Sequence, residues 1–181
     1  MKKLLLIASC IVASVGLVAH STGGSINFLT KVTAAGIDAK VTDAAGATVI
    51  NTSGYLAQLY AGANEASLAP VGTAINFLSS GYLNGGKVLT PLAQGSSAAV
   101  QLRAWTASAG SSYEAASTVS TAQIGKSGVL TLTLGGDQLS PPAVPVNLVG
   151  LTSFQLKLVP EPSTLALGAL AGLALLAIRR K

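Results

Sequence analysis

The sequence predicts an all-β fold, an antiparallel β-sandwich or jelly-roll-like single domain over residues 22–158. Three observations carry this expectation. Short stretches in which apolar and polar residues alternate recur at roughly ten-residue spacing, as in sandwiches and jelly rolls. Clusters of Gly, Ser, Thr, Asn and Asp punctuate them. No stretch of this middle segment repeats its apolar residues with the 3.6-residue period of an amphipathic helix. Two apolar segments of a different character flank the domain, at residues 1–21 and 159–181.

The first flank reads as a signal peptide. Met1, Lys2 and Lys3 precede an almost wholly apolar run to Ala19, which is the charge, length and position of a secretory leader. Small residues at Ala19 and Ser21 favour cleavage after Ser21, with cleavage after Ala19 as the alternative. Ile7-Ala8-Ser9-Cys10 fits a loose lipoprotein pattern, but the apolar run continues well past the cysteine, which argues against lipid attachment there.

Strands are expected at 26–33, 37–41, 47–50 and 55–60, broken by the small-residue turns Ala34-Ala35-Gly36 and Ala44-Ala45-Gly46. Residues 81–89 contain Asn84-Gly85-Gly86, a tight-turn signal. The clearest strand is 98–107. There Val100, Leu102 and Ala104 alternate with Gln101, Arg103 and Trp105, so Trp105 falls on the Arg103 face. At 129–134, Leu130, Leu132 and Leu134 share one face and Thr131 and Thr133 the other. Pro141, Pro142 and Pro145 place a loop before the last strand, in which Phe154, Leu156 and Leu158 alternate with Gln155 and Lys157.

The second flank is organised as three parts in order. Pro160-Glu161-Pro162 comes first, then an uncharged apolar run at 165–178, then Arg179-Arg180-Lys181. The apolar run of 14 residues would cover only about 21 Å as a helix. Extended back to Ser163 it still falls short of the ~20 residues that usually cross a bilayer, though a thin or compressed membrane accommodates it. A transmembrane helix is therefore expected at 163–178, with the prolines at its outer edge. The basic terminus would act as a stop-transfer signal and stay cytoplasmic by the positive-inside rule. Gly168 and Gly172 form a GxxxG spacing, which a small-residue-rich tail also produces by chance. A simple single-pass anchor is the plain alternative.

This tail resembles the PEP-CTERM sorting signal. The resemblance implies recognition of Pro160, Glu161 and Pro162 by an exosortase, an integral-membrane transpeptidase, with passage through the inner membrane and delivery to the cell surface or extracellular matrix. Two middle stretches, 54–62 with 68–72 and 100–105 with 110–116, are similar to a recurring core of small PEP-CTERM proteins. That second resemblance implies a shared domain and supplies no catalytic residues.

Charge and composition narrow the function further. The 181-residue chain is 50% apolar and 9% charged, with mean hydropathy +0.59 and net charge +5, but both flanks inflate these figures. Between Thr22 and Val159 six basic residues face five acidic ones, a balance of +1 that gives no reason to expect nucleic acid as a partner. The only cysteine is Cys10 and the only histidine His20. A Ser-His-Asp triad, a Cys-His pair and a His-ligated metal site are therefore ruled out for the domain. The acids Asp38, Asp43, Glu65, Glu114 and Asp137 show no glycosidase pairing. Asp38 and Asp43 lie in no Asp-rich calcium loop. Gly135-Gly136-Asp137 and Asn84-Gly85-Gly86 read as turns and not as phosphate loops. Neither metal nor cofactor is expected, and the Asn51-Thr52-Ser53 sequon carries no argument.

Of the aromatic residues Tyr55, Tyr60, Tyr82, Trp105 and Tyr113, the candidates for stacking on a sugar ring are Trp105 and Tyr113. The preferred reading of Trp105 is that it packs beneath a loop or in a second sheet. Arg103 is placed to pair with Glu114 or to lie over an aromatic ring. The expectation is thus a non-enzymatic exported protein of the cell surface or matrix, associated with the envelope or exopolysaccharide. The alternative is a carbohydrate-binding module for the matrix polymer, and a hydrolase ranks third.

Overall fold

Strands dominate the described residues, as the alternation in the sequence leads one to expect. The computed structural model describes residues 23–46, 53–136 and 141–160. The expected leader at 1–21, the strand expected at 47–50, Asp137, the sorting residues Glu161 and Pro162, the helix expected at 163–178 and the basic terminus Arg179, Arg180 and Lys181 lie outside the described residues.

The first half of the domain comprises β1 (Gly23–Leu29), β2 (Lys31–Val32), β3 (Ile37–Asp38), β4 (Val41–Thr42), β5 (Tyr55–Gly62), β6 (Ala69–Asn76) and β7 (Asn84–Ala93). The second comprises β8 (Ser97–Thr106), the single-turn helix α1 (Tyr113–Ala116), β9 (Gln123–Lys126), β10 (Leu130–Thr133), β11 (Val146–Asn147), β12 (Phe154–Gln155) and β13 (Lys157–Leu158). The fold is all-β. No helix among the described residues is long and apolar enough to cross a membrane.

A three-stranded sheet has the order β11-β1-β7, and a six-stranded sheet the order β13-β9-β8-β5-β6 with β10 also on β8. β8 is the axis of the larger sheet. One edge pairs with β5 along its full length, from Tyr55↔Thr106 to Gly62↔Ala99. The other edge is shared, with β10 on Ala98 to Val100 and β9 on Arg103 to Trp105. Between the two, Ser127 takes the Leu102 amide on its Oγ at 3.0 Å, so the chain leaves β9 and re-enters as β10 without orphaning the strand.

One apolar core joins the two sheets. Ile26, Phe28 and Val88 come from the smaller sheet, and Leu59, Val100 and Leu102 from the larger; Leu148 and Leu156 close it from the C-terminal segment. Full burial of a side chain such as Leu102 contributes about 1.5–3 kcal/mol. β8 is buried on both faces, Gln101 included. The alternation read in the sequence therefore separates two packed faces and not core from solvent.

Several expectations are corrected. The sheets are not purely antiparallel, because β11 runs parallel to β1 and β12 parallel to β4. The stretch expected as one strand at 26–33 breaks at Thr30, where its buried hydroxyl accepts the Leu83 amide at 2.9 Å. The stretch at 37–41 likewise divides into β3 and β4. Asn84-Gly85-Gly86 is not a hairpin turn but a bulge opening β7, with Phe28 opposite Gly86 and Leu29 opposite Asn84. Glycine is required there because Gly86 has a left-handed φ of 66°, and a Cβ on Gly85 would stand 2.5 Å from Phe28 Cδ1. Gly135 is likewise no turn residue. It exchanges backbone hydrogen bonds with Ser25, and its missing Cβ leaves room for the Val144 carbonyl.

The last expected strand is divided as well. β12 lies on β4 and β13 on β9, so the inward alternation fails at its end and Leu158 is 60% exposed. β6, β9 and β11 carry little alternation of their own and are strands through their neighbours.

Candidate functional site

The outer face of β8 collects most of the polar chemistry of the domain. Register places Tyr60 opposite Gln101, Gln58 opposite Arg103 and Leu56 opposite Trp105. Directly opposed residues share a face, so Tyr60, Gln101, Arg103 and Trp105 lie together. The segment from Ala107 to Ala122 crosses this face, and α1 brings Tyr113 and Glu114 down onto it. Ser112 starts that turn, its Oγ accepting the Ala115 amide at 3.2 Å as an N-cap.

Trp105 is wholly buried beneath this segment, against Ala116, Ala122, Leu56, Val119 and Ile124. Its Nε1 donates to the Gly110 carbonyl at 2.9 Å. Tyr113 meets it edge-on, with ring centroids 6.4 Å apart. The placement of Trp105 as a sugar-stacking residue is therefore corrected: a ring with no exposed face offers nothing to stack on. Of the two aromatic candidates only Tyr113, half-buried, reaches a surface cleft.

Arg103 lies between two aromatic rings, 4.0 Å from the Tyr60 centroid and 5.2 Å from that of Tyr113. Its Nε donates to Gln101 Oε1 at 2.9 Å, and its Nη1 pairs with Glu114 Oε1 at 3.2 Å. The other carboxylate oxygen of Glu114 accepts the Tyr60 hydroxyl at 2.9 Å. Gln101 in turn donates to the Ser127 carbonyl at 3.0 Å. Burial, then the hydrogen bond to Glu114, pushes the Tyr60 phenol far above its ordinary value. Burial raises that of Tyr113. Both oxygens of Glu114 have protein partners, so the arrangement works as a clasp that holds the covering segment on β8.

A cleft of about 440 Å³ opens beside this clasp. Tyr113, Lys126, Gln155, Lys157, Leu158 and Pro160 line it, and among the described residues no acidic side chain does. Lys126 and Lys157 are exposed. β13 forms its floor at the edge of the six-stranded sheet, and the chain leaves the domain there. Val159, which the sequence reading put at the start of the tail, is still part of the domain. Its amide donates to the Ala122 carbonyl at 2.9 Å, and its side chain packs on the Trp105 cluster. Pro160 is the first residue beyond that anchor.

A second polar cluster lies elsewhere on the surface. Tyr82 donates to Asp38 Oδ1 at 2.5 Å, with Lys31 Nζ 4.9 Å and Lys40 Nζ 5.5 Å from its ring centroid. Among the described residues no three His, Cys, Asp or Glu side chains come together as a metal site.

The sequence points to Arg103, Glu114, Tyr113, Trp105 and, among its aromatic residues, Tyr60, but it neither joins Tyr60 and Gln101 to the Arg103–Glu114 pair nor singles out Lys126 and Lys157. The signal for Tyr60 and Gln101 is cross-strand register, which a single sequence does not display. The lysines become neighbours only because β13 pairs with β9.

The comparisons bear on the end of the chain. No curated protein and no solved structure matches it. A family model described as the PEP-CTERM protein-sorting motif matches residues 158–181. That motif directs a chain to an exosortase, a membrane enzyme, and hence to export toward the cell surface. The match begins at Leu158, inside β13 and on the rim of the cleft, so the chain carries a PEP-CTERM protein-sorting motif that starts within the last strand of its β domain.

Proposed function

We propose that this chain is a non-enzymatic protein of the bacterial cell surface or extracellular matrix, exported behind a signal peptide at 1–21. In this reading the stretch at 163–178 inserts in the inner membrane, Arg179, Arg180 and Lys181 hold its cytoplasmic end, and an exosortase recognises Pro160, Glu161 and Pro162. The match at 158–181 is the observation that carries this reading. The anchor at Val159 supports it, because the motif follows the folded domain with no linker between them. We read the domain as a β-sandwich, since one core takes side chains from both sheets. Its role is association with the envelope or exopolysaccharide.

Intact-mass analysis of surface-purified protein tests this proposal. The expected mass starts near Thr22 and ends near the Pro-Glu-Pro motif. A species that retains Lys181 at the surface would make the tail a plain anchor. Glu161→Ala should block sorting and leave the thermal unfolding of the domain unchanged, because the packing described for the domain does not involve it. The alternative of a carbohydrate-binding module loses Trp105 and rests on Tyr113 at the cleft.

A further inference from the structure

The residues that surround the root of the tail have a chemistry of their own. Val159 is fixed by a backbone hydrogen bond and by packing, so the tail has a defined point of departure. From there only residues 160–164 separate the domain from the apolar run that begins at Leu165. Fully extended, five residues reach about 17 Å. The headgroup layer on one side of a bilayer takes up several ångströms of that span. While the tail is membrane-inserted, the root face of the domain is therefore held against the lipid surface at high effective concentration.

Which side chains meet that surface follows from the cleft. Lys126 and Lys157 flank it, no acidic residue among the described residues lines it, and Leu158 projects from the same edge at 60% exposure. Across the strand pair Lys126 faces Arg103, but Arg103 is engaged with Glu114, so the rim is net cationic among the described residues. Lysine ammonium groups attract anionic headgroups over a Debye length of about 8–10 Å at physiological salt, and an adjacent exposed leucine adds apolar contact at the interface. The polar cluster of Lys31, Lys40 and Tyr82 does not include the residues around Val159 and contains Asp38.

We propose that the cleft edge formed by Lys126, Lys157 and Leu158 is a membrane-apposition surface, which seats the domain on anionic lipid headgroups and presents the Pro-Glu-Pro segment at the bilayer surface before processing. This rests on the reading of the tail as membrane-inserted. The occupant is the bilayer surface itself: the short span from Val159 to Leu165 brings it there, and the cationic rim complements it.

The test uses the chain with its tail, in a Cys10→Ser background, purified from membranes of a host without exosortase. It is reconstituted in vesicles of phosphatidylcholine alone or mixed with phosphatidylglycerol. A fluorophore is placed by Gln155→Cys in the cleft or by Ser97→Cys at the far end of β8, about 26 Å from Trp105 at strand rise. Spin-labelled headgroups serve as quencher. Quenching at 155 should exceed that at 97 several-fold in the phosphatidylglycerol vesicles, and Lys126→Glu with Lys157→Glu should abolish the excess. Leu158→Gln, which leaves the charges in place, should reduce it partly. Equal quenching at the two positions, or an excess indifferent to charge reversal, overturns the proposal while the tail reading stands. A chain that does not float with the vesicles removes the tail reading and this inference with it. A shift of the label at 155 on addition of soluble polygalacturonate, with no lipid dependence, would assign the cleft to an acidic glycan and also overturn the proposal.

Discussion

Glu114 Oε1 sits 3.2 Å from Arg103 Nη1, eleven positions along the chain, and this contact ties the segment covering Trp105 to the strand beneath it. The pair is unequal. Arg103 is 19% exposed at its side chain and Glu114 57%, so the ion pair alone contributes no more than ~1 kcal/mol. What raises the stake is Tyr60, whose hydroxyl is buried and takes Glu114 as its acceptor.

Glu114→Ala should therefore destabilise the domain by about 1–3 kcal/mol, chiefly by leaving the Tyr60 hydroxyl without an acceptor. Adding Tyr60→Phe to that variant should recover part of the loss. A urea double-mutant cycle measures this. Strict additivity of the two substitutions would show that the hydroxyl does not depend on Glu114.

Alkaline pH should act through the same tyrosine. Its folded pKa is raised above the ordinary 10.0, so the folded state holds the proton more tightly than the unfolded chain. The associated stability is complete below pH 10 and is lost as pH rises above it. Tyr55 and Tyr113 are raised too and act in the same direction. Denaturation midpoints at rising alkaline pH should fall more steeply in the wild type than in Tyr60→Phe; parallel curves would assign the alkaline loss to other groups.

Trp105→Ala should cost about 3–5 kcal/mol, the usual range for a fully buried aromatic. The wild-type emission should be blue-shifted and unmoved by added polysaccharide. An emission maximum typical of a solvated indole would contradict its burial.

Ser25 offers the opposite sign. Its Oγ is buried with no hydrogen-bond partner among the described residues, although its backbone is fully engaged with Gly135. Ser25→Ala should be neutral or stabilising by up to about 1 kcal/mol, because it removes a desolvated donor without opening a cavity. A clear loss of thermal stability would mean that the hydroxyl has a partner, such as a buried water.

Gly85→Ala should destabilise β7, since the added methyl would stand 2.5 Å from Phe28 Cδ1 and 3.0 Å from Ile75 Cδ1. Overpacking of this kind costs typically ~1–3 kcal/mol. A companion Phe28→Leu that restores part of the stability would locate the clash; an unchanged midpoint for Gly85→Ala alone would show that the bulge relaxes.

By itself the sequence determined the all-β class, the strands at β5, β8 and β10, and the motif at the end of the chain. These are local properties: strong alternation in β8 and β10 needs no partner to be seen, and the tail is an ordered string of residue types. Tertiary structure decided what depends on register and crossing. It split the last expected strand, because Phe154 pairs with Val41 while Lys157 pairs with Ile124. It turned Asn84-Gly85-Gly86 into a bulge, because Phe28 presses on Gly85. It buried Trp105 by laying residues 107–122 across a face that alternation alone left open. It also brought Lys126 and Lys157 together at the root of the tail, since side chains thirty-one positions apart become neighbours only when their strands pair.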